Sequence, residues 1–333
     1  MDKPVAVIIL NWNGEKMLSR FLPDVTATTD MSIADIIVAD NGSSDGSVSL
    51  LSQKFPEVKV IELDRNYGFA EGYNRAIAMT RYRYTILLNS DVSTSEGWVN
   101  TLYDYMESHP DTGAVQPKIR SAECPGYFEY AGASGGFLDK NGYPYCRGRI
   151  FDTVEKDIGQ YDDIADIFWA SGAALMVRSE LYEKAGGLDA DFFAHMEEID
   201  LCWRIKLLGY DIKAIPQSVV YHLGGGTLPA SDPRKTYLNF RNNLLLLHKN
   251  LPDSCRRRRL FIRRLYDTVA WAKFVATLDF KNAGAVLRAH RDFRKMAHNY
   301  TSHPDKSLLP DTPDIIIDYF LRRITTFAAL HDR

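Results

Sequence analysis

The chain has 333 residues, of which 45% are hydrophobic and 25% are charged, and its formal net charge is −3. This composition is ordinary for a globular protein, and the near-neutral charge excludes a strongly basic nucleic-acid-binding protein, so we expect no nucleic-acid partner. The length allows one large α/β domain and a smaller additional region.

The cysteines and the apolar runs indicate the compartment. Four scattered cysteines form no CxxC pair, which argues against a zinc site and favours a reducing environment. We find no signal-peptide pattern at the N-terminus and no run of about 18 uncharged apolar residues. We therefore expect a cytoplasmic protein without a membrane-spanning helix.

The first third of the chain alternates strand-like and helix-like segments. The β-branched and apolar runs that predict strands are 5–10, 36–39, 58–63 and 84–88. The segments that predict helices between them are 15–23, 47–54 and 72–80. This alternation predicts a mostly parallel sheet flanked by helices, with ligands bound at the carboxyl edge of its strands.

The remainder of the chain divides into three parts. Residues 113–165 are rich in Gly, Tyr and Pro and carry few helix signals, so we interpret them as strands and loops on the side of the protein that would bind a second substrate, the acceptor. Helices are predicted at 196–208 and 237–248, and Pro252 then interrupts the chain. We predict one domain over 1–250, with a nucleotide-binding half at 1–112 and an acceptor and catalytic half at 113–250, followed by a helical C-terminal region at 251–333.

Residues 255–300 of the C-terminal region combine a run of four arginines at 256–259 with interleaved apolar and aromatic residues. This pattern is typical of a basic amphipathic helix on an anionic membrane surface, here the inner face of the cell membrane. A solvated helical face packed on the main domain explains it equally well.

Polar residues follow the first two predicted strands, where a ligand would bind. Asn11 and Asn13 come directly after the first strand, and Asp40 ends the second. Their side chains suit a nucleotide base or ribose. An ordinary turn followed by a helix cap is the structural alternative.

Three later segments suggest a phosphate and metal site. Arg75 is suited to neutralise a phosphate. Asn89 and Asp91 flank one residue after the fourth strand, so both point the same way and offer oxygen ligands to Mg²⁺ or Mn²⁺. His222 ends a strand-like run before a glycine run and is suited to the metal or the diphosphate, although a lone histidine is more often structural.

Carboxylates crowd the start of the helix predicted at 196–208. Glu197 and Glu198 are adjacent like charges, and either could act as a general base for an acceptor hydroxyl. The helix dipole alone could also favour these charges. Asp200 and Arg204 are spaced to pair along the helix.

The order of these motifs resembles the inverting family 2 glycosyltransferases of the GT-A fold, close to their bacterial rhamnosyltransferase-like branch. The resemblance covers residues 4 to 250, about three quarters of the chain. The segments that carry it are ILNWNG, VADNGSSDGS, NYGFAEGYNRAI, LLNSDV, WASGAALMVRSELYEKAGGLDADFFAHMEEIDLCWRIKLLGY, VYHLGGGT and YLNFRNNLLLLHKN.

The resemblance implies a Rossmann-like nucleotide-binding sheet and a role for each matched residue. On the donor side, it implies nucleotide contacts for Asn11, Asn13 and Asp40, with Arg241 and Asn242 near the donor phosphates. For the metal, it implies Asp91 and His222, with Asn89 replacing the first Asp of the family's D-x-D-like motif. For the acceptor, it implies Trp169, Ser171 and Gly172. For catalysis, it implies Glu198 as the base, with Glu197 as a rival because the family usually has an Asp after a Glu.

The implied activity is transfer of a sugar, with inversion, from a nucleotide-diphosphate sugar to a hydroxyl of a glycan or lipid-linked acceptor in cell-surface polysaccharide synthesis. The implied donor is dTDP-rhamnose or a UDP- or GDP-sugar, and the implied cofactor is Mg²⁺ or Mn²⁺. Two alternatives are a sugar-phosphate nucleotidyltransferase and a non-catalytic nucleotide-sugar binding module. The first would need a basic, glycine-rich loop after the first strand, where this chain has Asn11 and Asn13.

Overall fold

The computed structural model describes residues 3–224 and 232–331. The strands are β1 (Val5–Asn11), β2 (Ala34–Asp40), β3 (Lys59–Glu62), β4 (Tyr84–Leu88), β5 (Val92–Thr94), β6 (Thr112–Ser121), β7 (Gly136–Leu138), β8 (Pro144–Cys146), β9 (Arg149–Ile150), β10 (Thr153–Val154), β11 (Ala165–Asp166), β12 (Ala174–Arg178) and β13 (Asp211–His222). The α-helices are α1 (Glu15–Thr28), α2 (Ser47–Lys54), α3 (Gly68–Ala78), α4 (Trp98–Ser108), α5 (Ser179–Lys184), α6 (Glu197–Leu207), α7 (Pro233–Asn250), α8 (Asp253–Ala276), α9 (Phe280–Met296) and α10 (Phe327–His331).

One large mixed sheet organises the molecule. Within the described residues its order is β11-β13-β6-β12-β4-β1-β2-β3, with β5 paired to β13. Strands β1 to β4 are mutually parallel, and β13 is parallel to β6. Strand β12 runs antiparallel between β4 and β6. The predicted α/β fold with a mostly parallel sheet flanked by helices is confirmed.

The apolar runs that predicted β1 and β4 occupy the centre of this sheet. Val5, Val7 and Ile9 face one core, and Ile8 belongs to the core on the other side. Strands with both faces covered by helices are uniformly apolar, which is why these runs did not alternate.

Strand β3 forms at the predicted place but at the edge of the sheet. It pairs only with β2 in the described part of the chain, and Val60 is 37% exposed. Its apolar run therefore does not mark a strand buried on both faces, and the charged residues Lys59 and Glu62 are typical of a protected edge strand.

The irregular segment after residue 112 contains more regular structure than its composition suggested. It begins with the long buried strand β6, then forms a separate antiparallel sheet of order β10-β9-β8-β7 within the described residues. Helix α6 follows at the place predicted for the catalytic helix. Helix α1 continues past Pro23, where the sequence predicted its end.

Helices α7, α8 and α9 pack together in the C-terminal region. Leu251 and Pro252 separate α7 from α8, as expected from the proline. The final segment, with α10, contacts the small sheet through residues such as Ile315, Phe327 and Tyr145. Among the residues described, no helix combines the length and apolar character needed to cross a membrane.

Candidate active site

The ends of β1 and β2 bring the expected nucleotide-side residues together. Asn11 and Asp40 are both almost fully buried, and Asn11 Nδ2 donates to Asp40 Oδ1 over 3.0 Å. Asp40 Oδ2 accepts from the backbone N–H of Ser43 at 2.9 Å, and Ser43 Oγ accepts from the N–H of Asn13 at 2.8 Å. Asn13 in turn accepts from the N–H of Ser44 at 2.8 Å. The two loops therefore form one hydrogen-bonded unit at the sheet edge.

Asn41 connects this unit to α3, a role that its position in the sequence did not reveal. Its Nδ2 donates to Gly68 O at 3.0 Å. The adjacent Phe69 ring lies beside Gly172, where an added Cβ would be 3.6 Å from the ring and 3.7 Å from Glu198 Cβ. These contacts join the nucleotide-side loops to the start of α6.

Ala173, which follows Gly172 in the chain, contacts the segment that carries the expected metal ligands. Ala173 O accepts from Asn89 N at 3.0 Å, at the end of β4. Asn89 Nδ2 lies 3.4 Å from His222 Nε2, and Asp91 Oδ1 lies 3.2 Å from the same nitrogen. Glu129 Oε2 lies 3.3 Å from His222 Nδ1, on the other side of the ring. Glu129 could not be predicted from the sequence because it lies in an irregular stretch without a recognisable motif.

Asp40 ends β2, Asp91 lies just after β4, and His222 ends β13, so all three lie towards the carboxyl edge of the sheet, where Asp91 and His222 are in direct contact. Glu198 lies beside Gly172 at the start of α6. A common substrate site for the four residues stays a prediction.

Charge pairing determines the protonation of the Asp91–His222 pair. Burial lowers the pKa of His222, but the flanking Asp91 and Glu129 carboxylates outweigh it and raise that pKa to about 10. Burial raises the pKa of Asp91, but the bond from His222 more than reverses this and lowers it. An imidazolium therefore bridges the two carboxylates at neutral pH.

Glu197 and Glu198 lie at the N-terminus of α6 in poorly solvated positions. Burial raises the pKa of Glu198 to about 7, and burial together with the Glu198 charge raises the pKa of Glu197 well above its ordinary value. Neither Glu197 Oε2 nor Glu198 Oε2 has a hydrogen-bond partner in the part of the chain that the structure describes. As a residue Glu198 is partly exposed, whereas Glu197 is buried, although the Oε2 atoms of both carboxyl groups are buried.

Two of the three expected acceptor residues use their side chains inside the protein. Trp169 is buried, and its Nε1 donates to Phe137 O at 3.0 Å. Ser171 Oγ donates to Ala131 O. Only Gly172, beside Glu198, lies directly at the site, and acceptor binding by all three residues stays a prediction.

Two arginines expected near the donor phosphates have partners within the protein. Arg75 Nε lies 2.8 Å from Glu71 Oε1, and its guanidinium lies over the Tyr67 ring at 3.8 Å from the ring centroid. Arg241 is nearly buried and donates to backbone carbonyls of the segment before α6, including Asp191 O at 2.9 Å. Phosphate binding by Arg75 and Arg241 stays a prediction.

Asp200 anchors α6 in a buried ionic network. It lies 2.7 Å from Arg204 Nη2, as the i, i+4 spacing predicted, and also contacts Lys249 Nζ at 2.9 Å and Asn250 Nδ2 at 2.7 Å. Burial raises the pKa of Asp200, but these cations lower it below the ordinary value. Asp200 is therefore ionised and fixes α6 against α7.

Asp91 and His222 suit a divalent cation that takes its remaining ligands from the phosphates of the substrate. No group of three or more His, Cys, Asp or Glu side chains within 3–224 and 232–331 is arranged to hold a metal ion. Around an octahedral ion with metal–ligand distances of about 2.1 Å, two adjacent ligand atoms lie about 3.0 Å apart. Asp91 Oδ1 and His222 Nε2 have a similar separation of 3.2 Å. Ions that bind phosphates need few protein ligands. The glycine run at 224–226 falls largely outside the described residues.

Comparison with known proteins identifies the family. Residues 6–157 match the model of the glycosyl transferase family 2. The N-acetylglucosaminyl-diphospho-decaprenol L-rhamnosyltransferase of Mycobacterium tuberculosis is 25% identical over 236 residues, which cover 67% of this chain and 76% of the relative. Residues 6–157 thus form a family 2 glycosyltransferase domain, and the chain is rhamnosyltransferase-like.

Two further similarities agree with this assignment. Rhamnosyltransferase WbbL of Escherichia coli K12 is 25% identical to this glycosyltransferase over 227 residues, which cover 66% of the chain and 83% of the relative. The mannosyltransferase PcManGT of Pyrobaculum calidifontis, solved with GDP-Man and Mn²⁺, superposes with a TM-score of 0.54 at 14% identity. That superposition covers 90% of this chain and 84% of the other, and it confirms the GT-A fold. The glycosyltransferase is thus a sugar-transferring enzyme.

Proposed function

We propose that this enzyme transfers a sugar, with rhamnose from dTDP-rhamnose the first candidate, to a hydroxyl of a lipid-linked or glycan acceptor with inversion. The similarity to two rhamnosyltransferases supports the sugar, and the mycobacterial relative acts, by its name, on a diphospho-decaprenol acceptor. A UDP- or GDP-sugar is the alternative donor. The product would serve cell-surface polysaccharide synthesis.

The Glu198 carboxyl group carries this proposal. Glu198 lies at the start of α6 beside Gly172, its carboxyl Oε2 is buried without a hydrogen-bond partner among the described residues, and its pKa is raised to about 7. A general base is most efficient when its pKa lies near the working pH, and burial is the usual means of raising a carboxyl pKa. A single base opposite the leaving group is the arrangement that an inverting displacement requires.

The reaction follows from these positions. Glu198 takes the proton of the acceptor hydroxyl while that oxygen bonds to the anomeric carbon of the donor sugar. The bond from the anomeric carbon to the diphosphate oxygen breaks on the opposite face, and the nucleoside diphosphate leaves with that electron pair. Asn11, Asn13 and Asp40 hold the nucleotide at the ends of β1 and β2, in a loop unit that is already hydrogen-bonded.

Asp91 and His222 would hold a Mg²⁺ or Mn²⁺ ion, with Asn89 beside them. When bound, the ion supplies charge that stabilises the departing diphosphate. In its absence, His222 carries a proton between Asp91 and Glu129. Since a ligating imidazole must be neutral, ion binding at Nε2 would release that proton.

The decisive test is a panel of dTDP-, UDP- and GDP-sugars with a polyprenyl-diphosphate-linked amino sugar as acceptor, assayed by release of nucleoside diphosphate with Mn²⁺ or Mg²⁺. We expect turnover with one donor and its loss in Glu198→Gln, with donor binding retained in calorimetry. Binding without turnover of any donor would refute transferase activity and favour a non-catalytic binding module. Release of pyrophosphate from a nucleoside triphosphate and a sugar phosphate would identify a nucleotidyltransferase instead.

We further propose that α8 docks the enzyme on an anionic membrane, where a lipid-linked acceptor would be located. The helix exposes apolar side chains and buries ionic ones. Phe261, Leu265 and Val269 follow one another at four-residue spacing and are 61%, 53% and 69% exposed. Arg263 and Asp267 are buried on the opposite side as an ion pair of 2.7 Å. A helix that faces water exposes its charged side chains and buries its apolar ones, so the distribution on α8 is the reverse.

The charges around the apolar row favour an anionic lipid surface. Arg257, Arg258 and Arg264 are exposed, whereas the only carboxylate of the sequence between residues 254 and 278 is the buried Asp267. Each basic residue near an anionic membrane contributes about 1 kcal/mol, and the apolar row adds the energy of its insertion. The domain boundary at residue 250 then separates a catalytic unit from a docking unit.

Vesicle flotation tests this docking. We expect the wild-type enzyme to float with vesicles of phosphatidylglycerol and phosphatidylcholine at low salt, but not with phosphatidylcholine alone. Phe261→Asp with Leu265→Asp should abolish flotation. Ile158→Asp is the matched control because Ile158 is a 77% exposed apolar residue far along the chain from α8. Flotation that ignores lipid charge, or that survives the double substitution, would refute the proposal.

A further inference from the structure

The turn that leads into α6 has an unusual backbone. Phe193, His195 and Met196 have φ angles of 64°, 70° and 73°, and none of them is glycine. Positive φ brings Cβ close to the carbonyl oxygen, so such conformations persist only where neighbouring groups enforce them. Since Glu197 and Glu198 follow at once, this turn determines where both carboxyl groups point.

Asn242 on α7 makes a dense set of hydrogen bonds to this turn. Its side chain is completely buried, and its Nδ2 lies 3.0 Å from Phe192 O, 2.8 Å from Ala194 O and 2.7 Å from His195 O. Two amide hydrogens are thus shared among three carbonyl oxygens. The Asn242 Oδ1 accepts from Arg241 Nε at 2.9 Å, which fixes the orientation of the amide.

Arg241 extends the same interaction along the chain. Its Nη2 donates to Asp191 O and to Phe192 O, both at 2.9 Å. Ala190–Phe192 forms a single 3₁₀ turn that the following residues do not continue as a helix, so most of these carbonyls need hydrogen-bond donors from elsewhere in the protein. Together, Arg241 and Asn242 engage the carbonyls of Asp191, Phe192, Ala194 and His195.

We infer that Asn242, with Arg241, is a positioning residue that holds the 193–196 turn in its strained conformation and thereby aims Glu198 at the acceptor hydroxyl. The inference rests on the proposed function only in taking Glu198 as the base. It gives Arg241 a role other than the phosphate contact that the sequence suggested.

The first test compares Asn242→Ala with Asn243→Ala. Asn243 is the next residue of α7 and equally buried, but its Nδ2 donates to Gly142 O at 2.8 Å instead of to the turn. We expect amide hydrogen exchange of residues 191–197 to accelerate in Asn242→Ala and to stay unchanged in Asn243→Ala. Arg241→Met, which retains an aliphatic side chain, provides the same comparison where Asn242→Ala does not fold.

The second test is kinetic and uses the donor found active in the panel. A displacement of about 1 Å at a reacting group can lower the rate about 10²-fold, so we expect kcat of Asn242→Ala to fall by that order. The KM of the donor should change less than kcat because Asn242 bonds to Phe192, Ala194 and His195 and not to the loops after β1 and β2. Asn243→Ala should keep kcat close to the wild-type value even where its Tm is lowered equally.

A double substitution separates this inference from the choice of base. If Asn242 acts through Glu198, Asn242→Ala should slow the Glu198→Gln enzyme no further. Equal kcat values and equal exchange for Asn242→Ala and Asn243→Ala would overturn the inference while leaving Glu198 as base. Full activity of Glu198→Gln would instead refute the base, whereas faster exchange of the turn in Asn242→Ala would still show that Asn242 holds it.

Discussion

Two adjacent glutamates at the start of α6 differ in their expected ionisation, and this difference predicts which one is the base. With a pKa of about 7, Glu198 is about one tenth ionised at pH 6 and about nine tenths ionised at pH 8. A base must be deprotonated to accept a proton, so activity rises with pH through this window. We expect kcat to increase about tenfold between pH 6 and pH 8.

Glu197 should remain protonated while Glu198 ionises. Burial and the charge of Glu198 both raise the pKa of Glu197. Because Gln closely imitates a protonated Glu, we expect Glu197→Gln to retain most of the activity and the same acidic limb. Glu198→Gln should lose about 10²–10⁴-fold, the usual contribution of a general base.

The assay is nucleoside diphosphate release at saturating donor and acceptor from pH 5.5 to pH 8.5, with Tm recorded at each pH to exclude unfolding. Equal losses in Glu197→Gln and Glu198→Gln would refute the separation of roles. A kcat that does not change between pH 6 and pH 8 in the wild-type enzyme would contradict the raised pKa itself.

Two further predictions concern stability and the metal. Asp200→Asn leaves the largely buried Arg204 without its carboxylate and Lys249 with Asp189 alone, and should lower the free energy of unfolding by about 3 kcal/mol in urea denaturation. Asp253→Asn, at a pair whose carboxylate is 77% exposed, should change it by less than about 1 kcal/mol. An equal effect of both substitutions would contradict the reasoning. Chelation of the divalent cation with EDTA should abolish sugar transfer. Asp91→Asn should raise the Mn²⁺ concentration needed for half-maximal rate more than about tenfold, since a charged ligand beside His222 is lost. Unchanged transfer in EDTA would exclude a metal at this position.

The fold of residues 1–112 could be predicted from the sequence because its signals are local. The apolar runs of β1 and β4 reflect burial on both faces, and each is followed at once by the polar residue that lies at the site, such as Asn11 or Asn89. Parallel pairing of neighbouring strands then brings these residues to one edge without further information.

Strand β6 was not predicted because long-range partners conceal it. Gln116 and Lys118 interrupt its apolar pattern, yet both are buried. Gln116 Nε2 lies 3.3 Å from Gly132 O, and Lys118 Nζ lies 3.1 Å from Asp157 Oδ2. A buried polar residue whose hydrogen-bond partner lies 16 or 39 positions away cannot be distinguished, in the sequence alone, from a polar residue of a loop.

Arg241 shows the same limit for the site. An arginine near a predicted phosphate site suggests an anion contact, but its acceptors are carbonyl oxygens some 50 positions earlier. Backbone groups carry no sequence signal, and the strained turn that exposes them was equally hidden. The position of Glu198 at the start of α6 could therefore be predicted, but not the contacts that hold the turn before it.

The direction of strand β12 has a practical consequence. The strand runs antiparallel to β4 and β6, so its first residues lie beside the candidate active site. Its last residue, Arg178, leads into α5 at the opposite edge of the sheet, where Leu181 approaches Gly113. Glu183 is an exposed residue of that short helix. In a chain whose exposed Cys124 is replaced by serine, a cysteine at this position would attach a fluorophore or a surface away from the strand ends that carry Asp40 and His222, which suits single-molecule binding measurements.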